Sequence, residues 1–461
     1  MQLTKRYTLF ICMLAVSMQI LADGFTTAGN GTHYTLATLA QIPESGIKST
    51  GMERGLSSFT LSGNITISSG DSFELDDNTL VKFTDAADIT LNGSAILCVT
   101  SATYLEAAND EAQPRGIIID NDEQTEMDNL HIRKIGVKCL SKKGLKVTNC
   151  TFESHNGVLG SAALTMGADG APYEIRHCTF SMAQKAALVG AANYRNPLLI
   201  EDCEFIKNGQ DNRNMPQLNL TVADSVVIRR CTIVGDPEKD MVGGIVVANL
   251  VSFDGTYNTL VEDCNVSDCR FGIATYMSQS AVIRRNKLVN NCHESNPMNG
   301  GSGINLYDPS FKQILRIEGN HIEGSLWGIT IVGGKSANIG RTDVDASDPN
   351  YNAGGNTFSN NGNNGTPYDL YNNSANIVYA QGNTWACDHQ TADEIEQVIF
   401  HKADNASLGE VIYMPAAAPD SVNDISMPAK VNNADYDLRG IRMPASSCKI
   451  IVQNGKKILL P

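Results

Sequence analysis

Apolar residues along the chain alternate with polar ones in short runs, and the runs themselves recur. One phrase returns nine times: LKVTNCTF (ending at Phe152), YEIRHCTF (Phe180), LLIEDCEF (Phe205), VVIRRCTI (Ile233), TLVEDCNV (Val266), AVIRRNKL (Leu288), LRIEGNHI (Ile322), YNAGGNTF (Phe358) and VYAQGNTW (Trp385). With the Cys or Asn of each phrase as position zero, the zero positions are 150, 178, 203, 231, 264, 286, 320, 356 and 383, separated by 28, 25, 28, 33, 22, 34, 36 and 27 residues. The units hold a second phrase, again of period two: LNL at Leu218–Leu220, GGIVV at Gly243–Val247, FGIAT at Phe271–Thr275, SGINL at Ser302–Leu306 and WGITI at Trp327–Ile331. Period two between Asn, Gly, Ser and Asp turns predicts short strands, and a recurrence of this length predicts stacked copies of one unit. No stretch within the repeats keeps a helical period.

Stacking at about 4.8 Å per coil turns register into columns. Position +2 (Phe152, Phe180, Phe205, Ile233, Val266, Leu288, Ile322, Phe358, Trp385) predicts one core column. Position -3 (Val147, Ile175, Ile200, Ile228, Val261, Ile283, Ile317, Ala353, Ala380) predicts another. Position zero is Cys in five units and Asn in four. Asn side chains hydrogen-bond along such a stack and satisfy a bend, and Cys fills the same slot as a small apolar residue. Cys150, Cys178, Cys203, Cys231 and Cys264 are therefore expected to be buried structural thiols, because apolar surroundings disfavour the reactive thiolate. Position -2 reads Arg176, Glu201, Arg229, Glu262, Arg284, Glu318, which predicts a row of ion pairs on the outer face.

These phrases resemble the right-handed parallel β-helix (pectin-lyase-like) superfamily, over about residues 60–390. The resemblance implies an all-β solenoid with a Cys/Asn ladder, an N-terminal cap and a small C-terminal hairpin tail. It leaves the reaction open, since that fold carries lyases, hydrolases, adhesins and inert spikes. Residues 23–115 read as the N-terminal cap and first coils, with strands at Gly63–Ile67, Ser72–Leu75, Leu80–Phe83, Ile89–Leu91 and Ile96–Val99. His33–Pro43 is expected to cap the open first edge. Residues 116–413 hold the repeats, beginning with strands in GIIID and LHIRKI. They end in a capping helix over Thr391–His401, with Thr391 as N-cap and Glu394 three residues on.

The chain has 461 residues, 18% of them charged, 40 glycines and a net charge of -15. That balance excludes a helical bundle, and so negative a body with no basic stripe excludes nucleic-acid binding. Residues 1–22 have the form of a secretory signal: Lys5 and Arg6, the apolar run Leu9–Leu21, then Ala22. No later run reaches the roughly 20 apolar residues of a membrane span. Twelve cysteines, eleven without Cys12, suit neither a small disulfide-stapled domain nor a zinc site, since no CxxC pair or Cys/His cluster appears. Residues 414–434 read as a linker rich in Ala, Pro and Asn. The segment 435–461, with YDLRGIRM and KIIVQNGKKILL, resembles the sorting tails of exported Gram-negative proteins, although Ile441 stands where that pattern has its first basic residue. The resemblance implies a secreted or outer-surface location and an export machinery as partner.

On this fold, polysaccharide lyases and hydrolases carry acids and bases on the outward face of one sheet and its flanking loops. The outward positions of the second phrase are Asn219, Val246, Ala274, Asn305 and Thr330, so the row of acids or bases expected of a pectate-lyase-type site is missing. One loop edge is richer: Asp211 and Arg213, Lys239 and Asp240, Asp268 and Arg270, His293 and Glu294. Asp240, Asp268, Arg270 and His293 are the candidate catalytic groups, since a carboxylate beside Arg with His one coil away suits proton abstraction or acid–base hydrolysis. The same charges also fit a solvated loop. The opposite edge carries Tyr194, Phe253, Tyr257, Tyr276, Tyr307 and Phe311. Tyr194, Tyr257, Tyr276 and Tyr307 are the candidates for stacking on sugar rings. Asp343, Asp345, Ser347 and Asp348 alternate like a calcium loop, but Asp348 stands where the sixth-position Gly is needed and Gly354 where the twelfth-position Glu is needed, so a surface turn is expected. No cofactor or metal is implied. The leading expectation is an exported or cell-surface β-helix protein that binds glycans or acts as an interaction scaffold. The alternative is a polysaccharide lyase or glycoside hydrolase acting on an extracellular polysaccharide.

Overall fold

The computed structural model describes residues 24–221, 225–248, 258–276, 280–294, 296, 299–308, 315–333, 337–417, 450–453 and 456–459. For Tyr276, Ser280, Asp308 and residues 450–453 and 456–459 only the backbone is described. The signal-like segment 1–22 and most of the linker and tail lie outside these residues.

Each coil contributes a leading, a middle and a closing strand, for example Val226–Arg229, Thr232–Val234 and Ile245–Ala248. All three pair in parallel with the next coil: Val226–Arg229 on Thr259–Glu262, Thr232–Val234 on Asn265–Ser267, Ile245–Ala248 on Ile273–Tyr276. The closing strands build one 14-stranded sheet. One continuous apolar cluster fills the coil from Tyr34 to Val411. Period two explains it: inward side chains such as Ile228, Ile233 and Ile245 are fully buried, and their neighbours in sequence point out. In the +2 column Phe152 stacks on Phe180 at 4.5 Å and Phe180 on Phe205 at 5.2 Å.

The bend between leading and middle strands has one recurring backbone state. Position -1 is left-handed throughout: Asn149, His177, Asp202, Arg230, Asp263 and Arg285 have φ of 52–55°, and Gly319, Gly355 and Gly382 have φ of 64–70°. The zero side chain then satisfies the bend from inside. Asn286, Asn320, Asn356 and Asn383 form a ladder in which each Oδ1 accepts the backbone N–H of the coil before, at 2.9–3.0 Å. Their Nδ2 groups donate to the next Oδ1 and to core carbonyls such as Val261 O and Ile283 O, both at 3.0 Å. The five cysteines are buried as expected, but they do more than fill space: each Sγ donates to the carbonyl two residues earlier at 3.1–3.3 Å.

Ala353 departs from the expected core column and is exposed. In that coil the leading strand is Ala337–Gly340, and Ile339, fully buried, takes the core place. Residues 341–355 leave the coil as an outward excursion that returns at Asn356, so the sequence phrase aligned its own insertion with a strand. The DVDASD segment lies on this excursion, where Asp343 pairs with Arg341 at 3.2 Å and Asp348 accepts from the Asn350 backbone at 2.7 Å.

The ion row forms, in two knots. Glu201 forms ion pairs with Arg176, Arg229 and Arg230, and Arg230 also holds Asp202 at 2.8 Å. Glu262 is held by Arg284 and Arg285 at 2.8 and 2.7 Å, and Glu318 by Arg316 at 2.8 Å. Glu201 and Glu262 are buried rather than surface groups. Burial would raise the Glu201 pKa, but hydrogen bonds and charge from Arg230 and Arg229 hold it below the ordinary range.

At the N-terminal end a one-turn helix, Leu36–Leu39, is boxed by Thr35 and Thr38, and the antiparallel hairpin Ile47–Glu53/Leu56–Leu61 lies on the first coil. The strand expected at Ile96–Val99 is part of a longer one, Ser94–Ala107. At the C-terminal end the capping helix is shorter than expected, Ala392–Ile395, with Thr391 accepting from the Glu394 N–H at 3.4 Å. By contacts the chain divides into residues 1–416 and 417–461. In the second unit Ile450–Gln453 pairs antiparallel with Lys456–Leu459. Among the described residues no helix is long and apolar enough to cross a membrane.

Candidate functional site

The closing sheet brings the outward residues of the second phrase into one column: Asn219, Val246, Ala274, Asn305 and Thr330 are successive register partners. The column continues back through Val189, Thr165, Lys138, Ile118 and Thr90, and forward to Tyr371 and Phe400. Lys138 is the one charged member of this run. Toward its C-terminal end the column is covered: Asn305 is 9% exposed and Thr330 is fully buried, its hydroxyl 2.8 Å from that of Ser302. At the C-terminal end Trp327, Tyr368, Tyr371 and Phe400 pack together, with Tyr371 and Phe400 stacked at 4.8 Å. These rings were not legible in the sequence, where the aromatic candidates fall on the loop edge and not at the end of the sheet face. The alternation in Leu370–Ser374 was the available signal.

Of the expected stacking tyrosines, Tyr194 is half-buried in the loop after Gly190, its N–H bonded to Ala191 O at 2.9 Å. Tyr276 and Tyr307 are register partners on adjacent closing strands, and the Tyr307 side chain is half-buried. Tyr257 lies outside the described residues, as do Phe253 and Phe311.

The charged loop edge is built on the second bend of each coil. Its left-handed residues include Lys207, Asp268, Asn290 and Asn360, so Asp268 is itself a bend residue, with its N–H on Val289 O at 3.2 Å. One position further on, Asn208, Asn291 and Asn361 accept from the Ala183, Cys269 and Ser325 N–H groups at 3.1 Å, a second internal Asn column. Arg270 follows the bend and is 4% exposed. Its guanidinium donates to Asn214 at 2.6 Å and to Glu294 at 3.1 Å, tying loops of three coils together. Asp240 is exposed and accepts from Asn212 Nδ2 at 2.9 Å, and Arg213 pairs with Asp211 at 3.1 Å. His293 is half-buried and its Nε2 has no hydrogen-bond partner. The structure therefore joins Arg270 to Glu294 and Asn214. Among the described residues no hydrogen bond or ion pair links Asp268 with His293. The part of Asn214 was not legible, because the contact spans loops of unequal length.

Among the described residues no group of three His, Cys, Asp or Glu side chains is arranged to hold a metal ion. Within the zero column, the neighbouring sulphurs of Cys150 and Cys203, and then burial, push the Cys178 pKa far up. Burial pushes Cys269 up to about 12.

Three stacks of parallel strands around one core, bent on internal Cys and Asn ladders, make this chain a right-handed parallel β-helix protein. Residues 115–250 and 162–344 match the family model described as the right handed beta helix region. No curated protein matches the chain. Among solved structures, the periplasmic alginate epimerase AlgG is similar with a TM-score of 0.48 and 10% identity, covering 84% of this chain and 83% of that one. A double mutant of the same enzyme gives 0.48 and 10%, covering 84% of each chain. At such identity the likeness concerns the fold alone.

Proposed function

We propose that the chain is an exported β-helix protein that binds a glycan along the outer face of its closing sheet. The observation that carries this reading is the outward column from Thr90 to Ala274, of Thr, Ile, Val, Asn and Ala with Lys138 its one charge, and the Tyr371/Phe400 stack further along the same face. Short polar and small apolar groups at a repeat of about 4.8 Å offer hydrogen bonds and flat contact to a polysaccharide chain, and aromatic rings suit the apolar faces of sugars. Export rests on the signal-like segment 1–22 and the sorting-like segment 435–461, which also imply an export machinery and a secreted or outer-surface location. Glycan arrays and affinity gels test the reading. Binding that Ala274→Asp abolishes in a folded sample supports it, and the absence of any glycan signal from the folded protein overturns it.

A second reading makes the loop edge catalytic, as a polysaccharide lyase or glycoside hydrolase. It is favoured by the unpartnered His293 Nε2 beside Glu294, which Arg270 holds in place. In this reading His293, Asp268 and Asp240 would move protons and Arg270 would position Glu294. Incubation with uronic and neutral polysaccharides, read by ultraviolet absorbance of unsaturated products and by reducing ends, separates the two. Activity that survives both Asp268→Ala and His293→Ala would exclude these residues.

A further inference from the structure

The outer face of the leading sheet has a pattern that neither glycan reading uses. One outward column reads Glu174, Leu199, Val227, Leu260, Val282, Arg316 on successive coils. The column two residues further on reads Arg176, Glu201, Arg229, Glu262, Arg284, Glu318 on the same coils. Four aliphatic side chains thus stand in line on the outside of the coil, and each of them is half-buried rather than covered. A shallow concavity of about 270 Å³ lies at their centre, lined by Val227, Leu260, Val282 and Arg284 among others. Outward aliphatics in line, flanked by charges, mark an association surface more than a solvated one.

From this pattern we infer that the leading-sheet face is a two-fold interface between two copies of this chain, packed antiparallel. The occupant follows from charge complementarity. Consider a two-fold axis lying in the face, parallel to the strands, midway between the coils of Val227 and Leu260. It sets Val227 of one copy against Leu260 of the other, and Leu199 against Val282. The same operation sets Glu174 against Arg316, Arg176 against Glu318, Glu201 against Arg284, and Arg229 against Glu262. Glu201 and Glu262 are buried and held within their own copy, so the complementarity rests on the end pairs, Glu174 with Arg316 and Arg176 with Glu318, whose side chains stay accessible. A slip of one coil brings Arg onto Arg and Glu onto Glu, so the alternating row fixes the register as well as the partner. The arginines keep enough exposure to take part, with Arg176, Arg229, Arg284 and Arg316 side chains at 34–37%. Six coils at about 4.8 Å give a patch roughly 29 Å long, the scale of a modest, concentration-dependent interface.

Sedimentation velocity of the full chain, from about 1 to about 100 µM, tests this at the affinities such a patch supports. The expected result is a reversible monomer–dimer equilibrium. Val227→Lys with Leu260→Lys should weaken it at least tenfold, with the thermal melt followed by circular dichroism unchanged. Arg316→Glu should weaken the dimer, and adding Glu174→Arg should restore it, an outcome that simple loss of folding does not produce. A protein that stays monomeric across the range, or a dimer that none of these substitutions moves, overturns the inference. Glycan binding plays no part in either result.

Discussion

His155 stands at the head of the second bend column, 2% exposed and with neither ring nitrogen hydrogen-bonded. Burial lowers its pKa to about 4, against an ordinary value of 6.5. The unfolded imidazole therefore takes up a proton that the native one refuses, and this contribution to stability falls as pH drops through that window. Asp369 acts in the opposite sense. Burial raises its pKa to about 6, despite donors at Ala386 N and Asn361 Nδ2 that lower it. The native carboxyl keeps its proton where the unfolded one loses it, so its contribution falls as pH rises from 3.8 to about 6. Each effect is on the order of 3 kcal/mol at full extent, and in the wild type they oppose one another. Denaturant unfolding between these pH limits should show stability falling with rising pH in His155→Leu, and rising with pH in Asp369→Asn. Neither residue announces itself in the sequence, because burial of a polar side chain at a coil corner leaves no mark on a period-two pattern.

At the scale of the bend, Cys and Asn fill one column by different means. Asn320 accepts from the Asn286 N–H and side chain and donates to Ile283 O and Asn356 Oδ1, so it serves three coils. Cys231 offers only a weak thiol donor, to Arg229 O at 3.3 Å and Ile200 O at 3.8 Å, and otherwise packs. Asn320→Ala should cost about 2–4 kcal/mol by leaving buried donors and acceptors unmatched, and Cys231→Ala only about 1 kcal/mol, compared through thermal unfolding. The column itself was legible from the nine phrases, as were the +2 and -3 columns other than Ala353. The left-handed position before it was not. Asn, His, Asp, Arg and Gly share that position, and what they have in common is a backbone angle, not a side-chain property. The second Asn column was missed for a related reason, since Asn208, Asn291 and Asn361 sit at the start of loops whose unequal lengths hide their equivalence.

Across the whole molecule, the coil is closed at both ends by local devices, the Thr35-capped turn with its hairpin and the Thr391-capped turn. Because the contacts divide the chain at Ala416, removal of residues 417–461 should leave the thermal melt of the remainder unchanged; under the export reading proposed above, it should also move the protein away from the cell surface. Calorimetry and cell fractionation check the two halves of that expectation. The sequence by itself determined the coil, its core columns and the neutral outer face, because a period of two and a regular recurrence map directly onto which side chains face in and which stack. Only the tertiary structure decided that Ile339 replaces Ala353, that Glu201 and Glu262 are buried knots, and that Arg270 is spent on Asn214 and Glu294. Those outcomes depend on how far each loop reaches before it returns to the coil, and on backbone turns that many residue types can make.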